Sequence, residues 1–252
     1  MIRITDILDK VGKYASQADL ELFEKAYIFS ATVHAGQMRL SGEPYLTHPM
    51  EVAMFKEFST PVGVAVVGAS RDPEKLGYKI LKNVMDGGYT GPIYPVNPKS
   101  KDILGLPCYP DITSLPGTPE LAVVVVPAPF VGAVAEECGK KGAKGMVVIS
   151  AGFKEAGAEG KKREQDLVAV MKKYGMRLIG PNCLGLIDVV HNLNASFAFE
   201  TPPKGRIAFI SQSGALGTAV LDWAMKEGVG FSKFFSVGNM AEHLDSWLAN
   251  RK

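Results

Sequence analysis

From Pro61 onward, short apolar runs alternate with amphipathic stretches. "VGVAVV" (62–67), "PIYPVN" (92–97), "LAVVVVP" (121–127), "KGMVVIS" (144–150) and "MRLIG" (176–180) are rich in β-branched residues and closed by Gly or Pro. Hydrophobicity that is continuous rather than alternating predicts strands buried on both faces. Between them, 75–87, 129–141 and 158–174 carry apolar positions at helical spacing and predict helices. Such alternation builds an α/β fold around a doubly wound parallel sheet. A second, partial α/β unit begins at "GRIAFISQSGALGTAVLDWAMKEG" (205–228) and continues into "FFSVGN".

The first 53 residues follow a different pattern, with no strand signal. Asp19 can cap a helix through "DLELFEKAYIFSATVHAG", with Leu20, Phe23, Tyr27 and Ile28 on its apolar side. Glu21 and Lys25 form an i,i+4 pair, and Gly36 suits its end. "SGEP" makes a turn, and a short helix follows Pro49. The segment is predicted all-helical. Charge also changes at Met54: residues 1–53 hold 5 Lys+Arg and 7 Asp+Glu, while the rest holds 23 and 19, out of totals of 28 and 26. The expected organisation is a helical segment at 1–53, a first α/β domain at 54–182 and a partial second one at 183–252.

The overall net charge of +2 is too small to argue for a nucleic-acid partner. No apolar run reaches membrane-spanning length, and "MIRITDILDK" has no signal-peptide core. Cys108, Cys138 and Cys183 are odd in number and far apart, which suits a reducing cytoplasm better than a disulfide framework or a zinc site.

Candidate chemistry lies in two loops that echo one another, "GVAVVGAS" and "RIAFISQSG". Each places small and hydroxyl residues where a strand ends and a helix starts. Free backbone N–H groups and the helix dipole favour an anion there, and open α/β sheets bind ligands at that edge. The first loop departs from the dinucleotide fingerprint G-x-G-x-x-G, because Ser70 stands at the second glycine. The second strand is followed by Asn97, Lys99 and Lys101 rather than an acid for a ribose, which suits a phosphorylated ligand better than NAD. A Walker A loop is absent. A βα turn without a ligand remains the alternative for both loops.

In order, "VAVVGAS", "YPVNPK", "VVVVPAPF", "VVISAGFKE", "RLIGPNCLGLI", "IAFISQSGAL" and "SVGN" resemble the α-type region of NDP-forming acyl-CoA synthetases, the group that includes the succinyl-CoA synthetase α subunit. The resemblance covers residues from about 54 to 250. It implies a Rossmann-like CoA-binding domain followed by a flavodoxin-like domain that handles phosphate. It places Gly68, Ser70 and Arg71 against CoA, and Asn97 and Lys99 at its nucleotide. Pro127, Ala128 and Pro129 would form a turn beside the ligand. Ser150, Ala151 and Gly152 would face the pantetheine, with Asn182 and Cys183 near the thioester end. Ser211, Ser213 and Gly214 would hold a phosphoryl group. Cys183 could be read as a nucleophile, but no His is placed to activate it, and a packing role is preferred.

Enzymes of that family pass a phosphoryl group through a histidine to a nucleotide held by an ATP-grasp module. None of His34, His48, His191 and His243 has the family's small-residue context. The expectation is therefore a CoA- or acyl-CoA-binding region with incomplete ligase chemistry and no catalytic residue of its own. Activity would require an ATP-grasp β-type subunit, and a homo-oligomer is possible. The alternative is a non-catalytic CoA-binding sensor or scaffold.

In the leading segment, "AYIFSATVHAGQMRLSGEPYLTHPMEVA" resembles the start of the HD hydrolase domain of the RelA/SpoT family, which degrades (p)ppGpp. That resemblance makes His48 a vestigial manganese ligand and places Arg39 near the nucleotide. No His-Asp dipeptide occurs in the chain, and one imidazole cannot hold a catalytic divalent ion, so no bound metal is expected and (p)ppGpp hydrolysis ranks last among the alternative functions. Met54 reads as the start of the synthetase-like region, with the leading piece joined to it.

Overall fold

The computed structural model describes residues 56–241. Expectations placed on the leading segment, including its helices, His48 and Arg39, lie outside the described residues, as does His243. After a short helix α1 (Lys56–Ser59), five parallel strands form the first sheet: β1 (Val64–Val67), β2 (Ile93–Val96), β5 (Leu121–Val124), β6 (Gly145–Val148) and β7 (Arg177–Ile179). Their order is β2-β1-β5-β6-β7. Each of β1, β5 and β6 is buried along its whole length, as continuous apolar runs require. β2 carries Pro95, which lacks an N–H for the ladder, and it lies at the edge, where that omission costs least. A small hairpin, β3 (Asp102–Ile103) and β4 (Leu106–Pro107), follows β2.

Helices α2 (Leu76–Asp86), α3 (Ala128–Lys141) and α4 (Ala158–Tyr174) connect the parallel strands. One face of the sheet, including Ala65, Val67, Ala122, Val124, Met146 and Val148, packs with Val131, Ala135, Leu167 and Met171 of α3 and α4. Helix α2 packs against β1 and β2 and buries Ile80, Leu81 and Val84. Because the chain leaves β2 and returns on the far side of β1, the strand order reverses between β1 and β5. Ligands of such sheets bind at that switch point, beyond the carboxyl ends of the strands.

A second, four-stranded sheet comprises β8 (Gly185–Asp188), β9 (Leu193–Ser196), β10 (Lys204–Ser211) and β11 (Phe231–Ser236), with helix α5 (Gly214–Glu227) between the last two. Its order is β10-β11-β8-β9. β10 and β11 are parallel, whereas β8 runs antiparallel to both β11 and β9. The periodicity of the sequence does not announce the β8–β9 hairpin, because Asp188, Asn194 and Ser196 interrupt its apolar pattern. These polar groups are nonetheless buried and bonded. Asn194 donates to Thr201 Oγ1 at 2.8 Å, and Ser196 Oγ donates to Asn194 Oδ1 at 2.6 Å. Asp188 accepts from Lys233, and its carboxylate lies 3.0 Å from His191 Nδ1. Phe209, Phe231 and Phe234 pack the core of this unit, with the rings of Phe209 and Phe234 stacked at 4.7 Å.

The two sheets are joined through α2. Asn83 on that helix donates to the carbonyls of Ser196 (2.9 Å) and Ala198 (2.8 Å). This contact seats β9 against the first unit and brings α5 to the carboxyl edge of the first sheet. Among the described residues, no helix is long and apolar enough to cross a membrane.

Candidate functional site

The loops at the carboxyl edge pack closely. Gly68 ends β1 at φ +92°, where an L side chain is strained, and a Cβ there would sit 3.1 Å from the backbone carbon of Val125. Gly77, in the first turn of α2, has no room for a side chain, since its Cβ would lie 2.0 Å from the carbonyl oxygen of Gly68. The loop between them turns on local bonds: Ser70 Oγ accepts from the Asp72 amide at 3.1 Å, and Asp72 Oδ1 accepts from Glu74 at 3.0 Å.

Asn97 ties this loop to β2. Its amide donates to the Ala69 carbonyl at 2.7 Å, and its Oδ1 accepts from the Lys99 backbone at 2.8 Å. These bonds end the strand at Val96. Arg71 donates to both the carbonyl and the carboxylate of Asp102, each at 2.8 Å. Both side chains of that pair are largely exposed, so it contributes little stability. Lys99 is exposed beside them.

On the other side of the switch point, Pro127 is the N-cap of α3, followed by Ala128 and Pro129 in its first turn. Proline suits that place because the N–H it lacks would have no helical partner. Ser150 donates from its hydroxyl to the Val126 carbonyl at 2.5 Å and so joins the loops after β5 and β6. The Gly152 and Phe153 amides both donate to Glu155 Oε1, at 2.6 and 3.1 Å. Burial pushes the Glu155 carboxyl up, but bonds from Asn239, Phe153 and Gly152 outweigh it and leave it below its ordinary value.

Asn182 is exposed at φ 57°, and its backbone N–H donates to the Ser150 carbonyl at 3.0 Å. Cys183 is buried, and its thiol points at the Val148 carbonyl, 3.3 Å away. Burial pushes that thiol up to about 12, far from the range in which a thiolate forms at neutral pH. In the second unit, Ser211 Oγ accepts from the Ser213 amide at 3.1 Å, Ser213 Oγ caps α5 by accepting from Leu216 at 3.1 Å, and Gly214 opens the helix.

These elements enclose a cleft of about 820 Å³. Pro127, Ser150, Ala151, Asn182, Cys183, Ser213 and Gly214 line it. Gly68, Ser70, Arg71, Asn97 and Lys99 form the neighbouring edge around β1 and β2 and do not line it, nor do Ala128, Pro129, Gly152 and Ser211. Sequence reasoning did not single out Leu76, Phe197 and Thr218 as lining residues, nor Asn239 at the end of "SVGN". Only Asn239 lay in a recognisable motif; the others carry no local signal.

None of the described lining residues is charged. Leu76, Pro127 and Ser213 stand at the starts of α2, α3 and α5, so three helix N-termini open on one uncharged cleft. Each contributes about half a positive charge. The volume suits a small-molecule ligand, and the field favours an anionic one. No group of three or more His, Cys, Asp or Glu suited to a metal ion occurs among the described residues.

Comparison with known proteins agrees with this geometry. Residues 63–188 match a CoA binding domain model, and residues 204–245 match the succinyl-CoA ligase-like flavodoxin domain. The chain is 50% identical over 189 residues to the α subunit of ADP-forming acetate–CoA ligase II from Pyrococcus furiosus, covering 75% of this chain and 41% of that one. It is 53% identical over 181 residues to ADP-forming acetate–CoA ligase I from Archaeoglobus fulgidus, covering 72% of this chain and 26% of that one. The chain thus spans about a quarter to two-fifths of these relatives.

The solved dinucleotide-forming acetyl-coenzyme A synthetase 1 of Ca. Korarchaeum cryptofilum, in complex with phosphate and ADP, superposes with a TM-score of 0.71 at 43% identity, over 74% of this chain and 40% of that one. A separate match of 43 residues, 58% identical, links 17% of this chain to 6% of a GTP pyrophosphokinase from Myxococcus xanthus. The expected relation to NDP-forming acyl-CoA synthetases is borne out, as is the Rossmann-like α/β architecture. With half of its length matched by the family model, and with the cleft at the switch point of its first sheet, the chain belongs to the CoA binding domain family.

Proposed function

We propose that residues 63–241 bind CoA and present its thiol to an acyl phosphate, as part of an ADP-forming acid–CoA ligase whose nucleotide-binding ATP-grasp module is carried on a partner subunit. The observation that carries this reading is the convergence of three helix N-termini on an uncharged cleft at the switch point. In this reading the nucleotide end of CoA lies over the β1 and β2 loops. Lys99 and Arg71 supply charge to its phosphates there, and Asn97 holds the loops in place. The pantetheine arm runs past Pro127 and Ser150 into the cleft. The start of α5, with Ser213 and Gly214, receives the phosphoryl group of the acyl phosphate, and phosphate leaves there as the thioester forms. Ser211 braces Ser213 from beneath.

The test is calorimetric titration of the chain with CoA, with NAD as control. CoA is expected to bind and NAD is not. Lys99→Glu should weaken CoA about tenfold, or about 1.4 kcal/mol, since it turns an attraction of about 1 kcal/mol between solvated charges into a repulsion. A folded chain that does not bind CoA would refute the reading. CoA binding without turnover, even when an ATP-grasp subunit is added, would point to a sensor or scaffold instead.

For the leading segment we infer descent from a RelA/SpoT-type domain. The 43-residue match to a GTP pyrophosphokinase and the "HAGQMRLSGEPYLTHP" motif support it. We assign that segment no chemistry. The unpaired Cys108, Cys138 and Cys183 support placing the protein in a reducing cytoplasm.

A further inference from the structure

Asn239 uses every polar group it has. Its backbone N–H donates to the Pro181 carbonyl at 2.9 Å, and its carbonyl accepts from Lys154. Its side-chain amide donates to Glu155 Oε2 and, at 2.9 Å, to the buried Glu164, while its Oδ1 lies 3.4 Å from the Asn182 amide. The partners come from three places: the turn after β6, helix α4, and the link between β7 and β8. Asn239 itself leaves β11 of the second sheet. One side chain therefore clasps the two sheets together at the rim of the cleft, where Ala151, Asn182 and Gly238 also lie.

The clasp reaches the opposite wall through a short path. The Val237 amide donates to the Ser211 carbonyl at 2.8 Å, Ser211 pairs with Ser236 in the ladder, and Ser211 Oγ holds the Ser213 amide. A shift at Asn239 moves the exit of β11, and with it the start of α5. We propose that Asn239 is the positioning residue that sets the separation between the Ser150–Ala151 wall and the Ser213–Gly214 wall, so that a ligand spanning both is held in register. This rests on the CoA reading above. It predicts that the clasp governs the pantetheine arm of CoA and leaves the nucleotide end, seated on the first sheet alone, unaffected.

The test compares two ligands on the full chain by calorimetry: CoA, and adenosine 3′,5′-bisphosphate, which lacks the pantetheine arm. Asn239→Asp places a carboxylate against Glu155 and Glu164 and should open the clasp. CoA affinity is expected to fall at least tenfold, with the bisphosphate unchanged within twofold. Glu155→Gln in that background supplies a donor to the new carboxylate and should recover CoA affinity. If Asn239→Asp does not fold, Asn239→Ala carries the same test with a smaller loss.

Equal losses for both ligands would mean a general structural role and overturn the proposal. So would CoA affinity unchanged in a folded variant. A wild-type chain that binds neither ligand removes the CoA reading itself, and the proposal with it. That result is seen before any variant is made.

Discussion

Replacing Lys233 by Met isolates the energetics of the second unit, because the aliphatic stem is kept while the ammonium is lost. Asp188 is fully buried, and Lys233 is 17% exposed in its side chain. Lys233 also donates to Ser59 at 3.0 Å, tying β11 to α1. Removing one partner of a buried ion pair costs about 3–5 kcal/mol, mostly because the other charge is left uncompensated. His191 still faces Asp188 in the variant, so the lower end applies, about 3 kcal/mol. For a chain of this size that corresponds to a drop of about 6–12 °C in Tm. Adding Asp188→Asn removes the stranded charge and should recover most of the loss, so the two substitutions are strongly non-additive.

The pH dependence gives an independent sign. Burial pushes the Asp188 carboxyl up, and bonds from Lys233, His191 and Ser59 outweigh it, leaving it below its ordinary value. Its stabilisation is therefore complete above the unfolded value of about 4 and is lost as pH falls through the lower, folded one. Without Lys233 burial wins and the carboxyl rises. The folded variant then holds a proton that the unfolded chain releases, and its stability falls as pH rises from about 4 toward 7. The assay is urea unfolding followed by circular dichroism at several pH values. A loss below about 1 kcal/mol, or a pH slope equal to that of the wild type, would refute this account.

Other expectations concern the site. Burial pushes the thiols of Cys138 and Cys183 up to about 12, so thiol reagents at pH 8 should label Cys108 alone in the folded chain and the other two only after unfolding; rapid labelling of Cys183 would revive it as a nucleophile. Burial also pushes Cys108 up, against opposing bonds to Asn97 and Tyr109, so its rate should lie below that of a free thiol. Gly77→Ala forces a methyl against the Gly68 carbonyl. It should cost about 1–3 kcal/mol by overpacking and weaken CoA, with thermal melts and titration as the measurements; a neutral effect on both would show that the β1 loop yields freely.

Much of this protein was legible locally. The runs around Val64–Val67, Leu121–Val124 and Gly145–Val148 read as strands covered on both faces, because a strand's burial is written in consecutive side chains. The two βα loops read as strand-to-helix transitions for the same reason, since a few neighbours end Val64–Val67 and Lys204–Ser211 and open the helices at Leu76 and Gly214. Asn97, placed by its motif at the nucleotide, lies in the structure where it bonds across to Ala69.

The tertiary structure alone decided the rest. The β8–β9 hairpin buries Asp188 and Asn194, whose partners Lys233 and Thr201 lie outside it, and Ser196, which bonds to Asn194 within it. Leu76 and Phe197 meet in the cleft because Asn83 seats β9 against α2, and Asn239 joins carboxylates 75 and 84 positions away. Local pattern reports what one segment needs to bury, whereas a cleft between two sheets depends on which distant segments satisfy one another, and that is settled only when the whole chain packs.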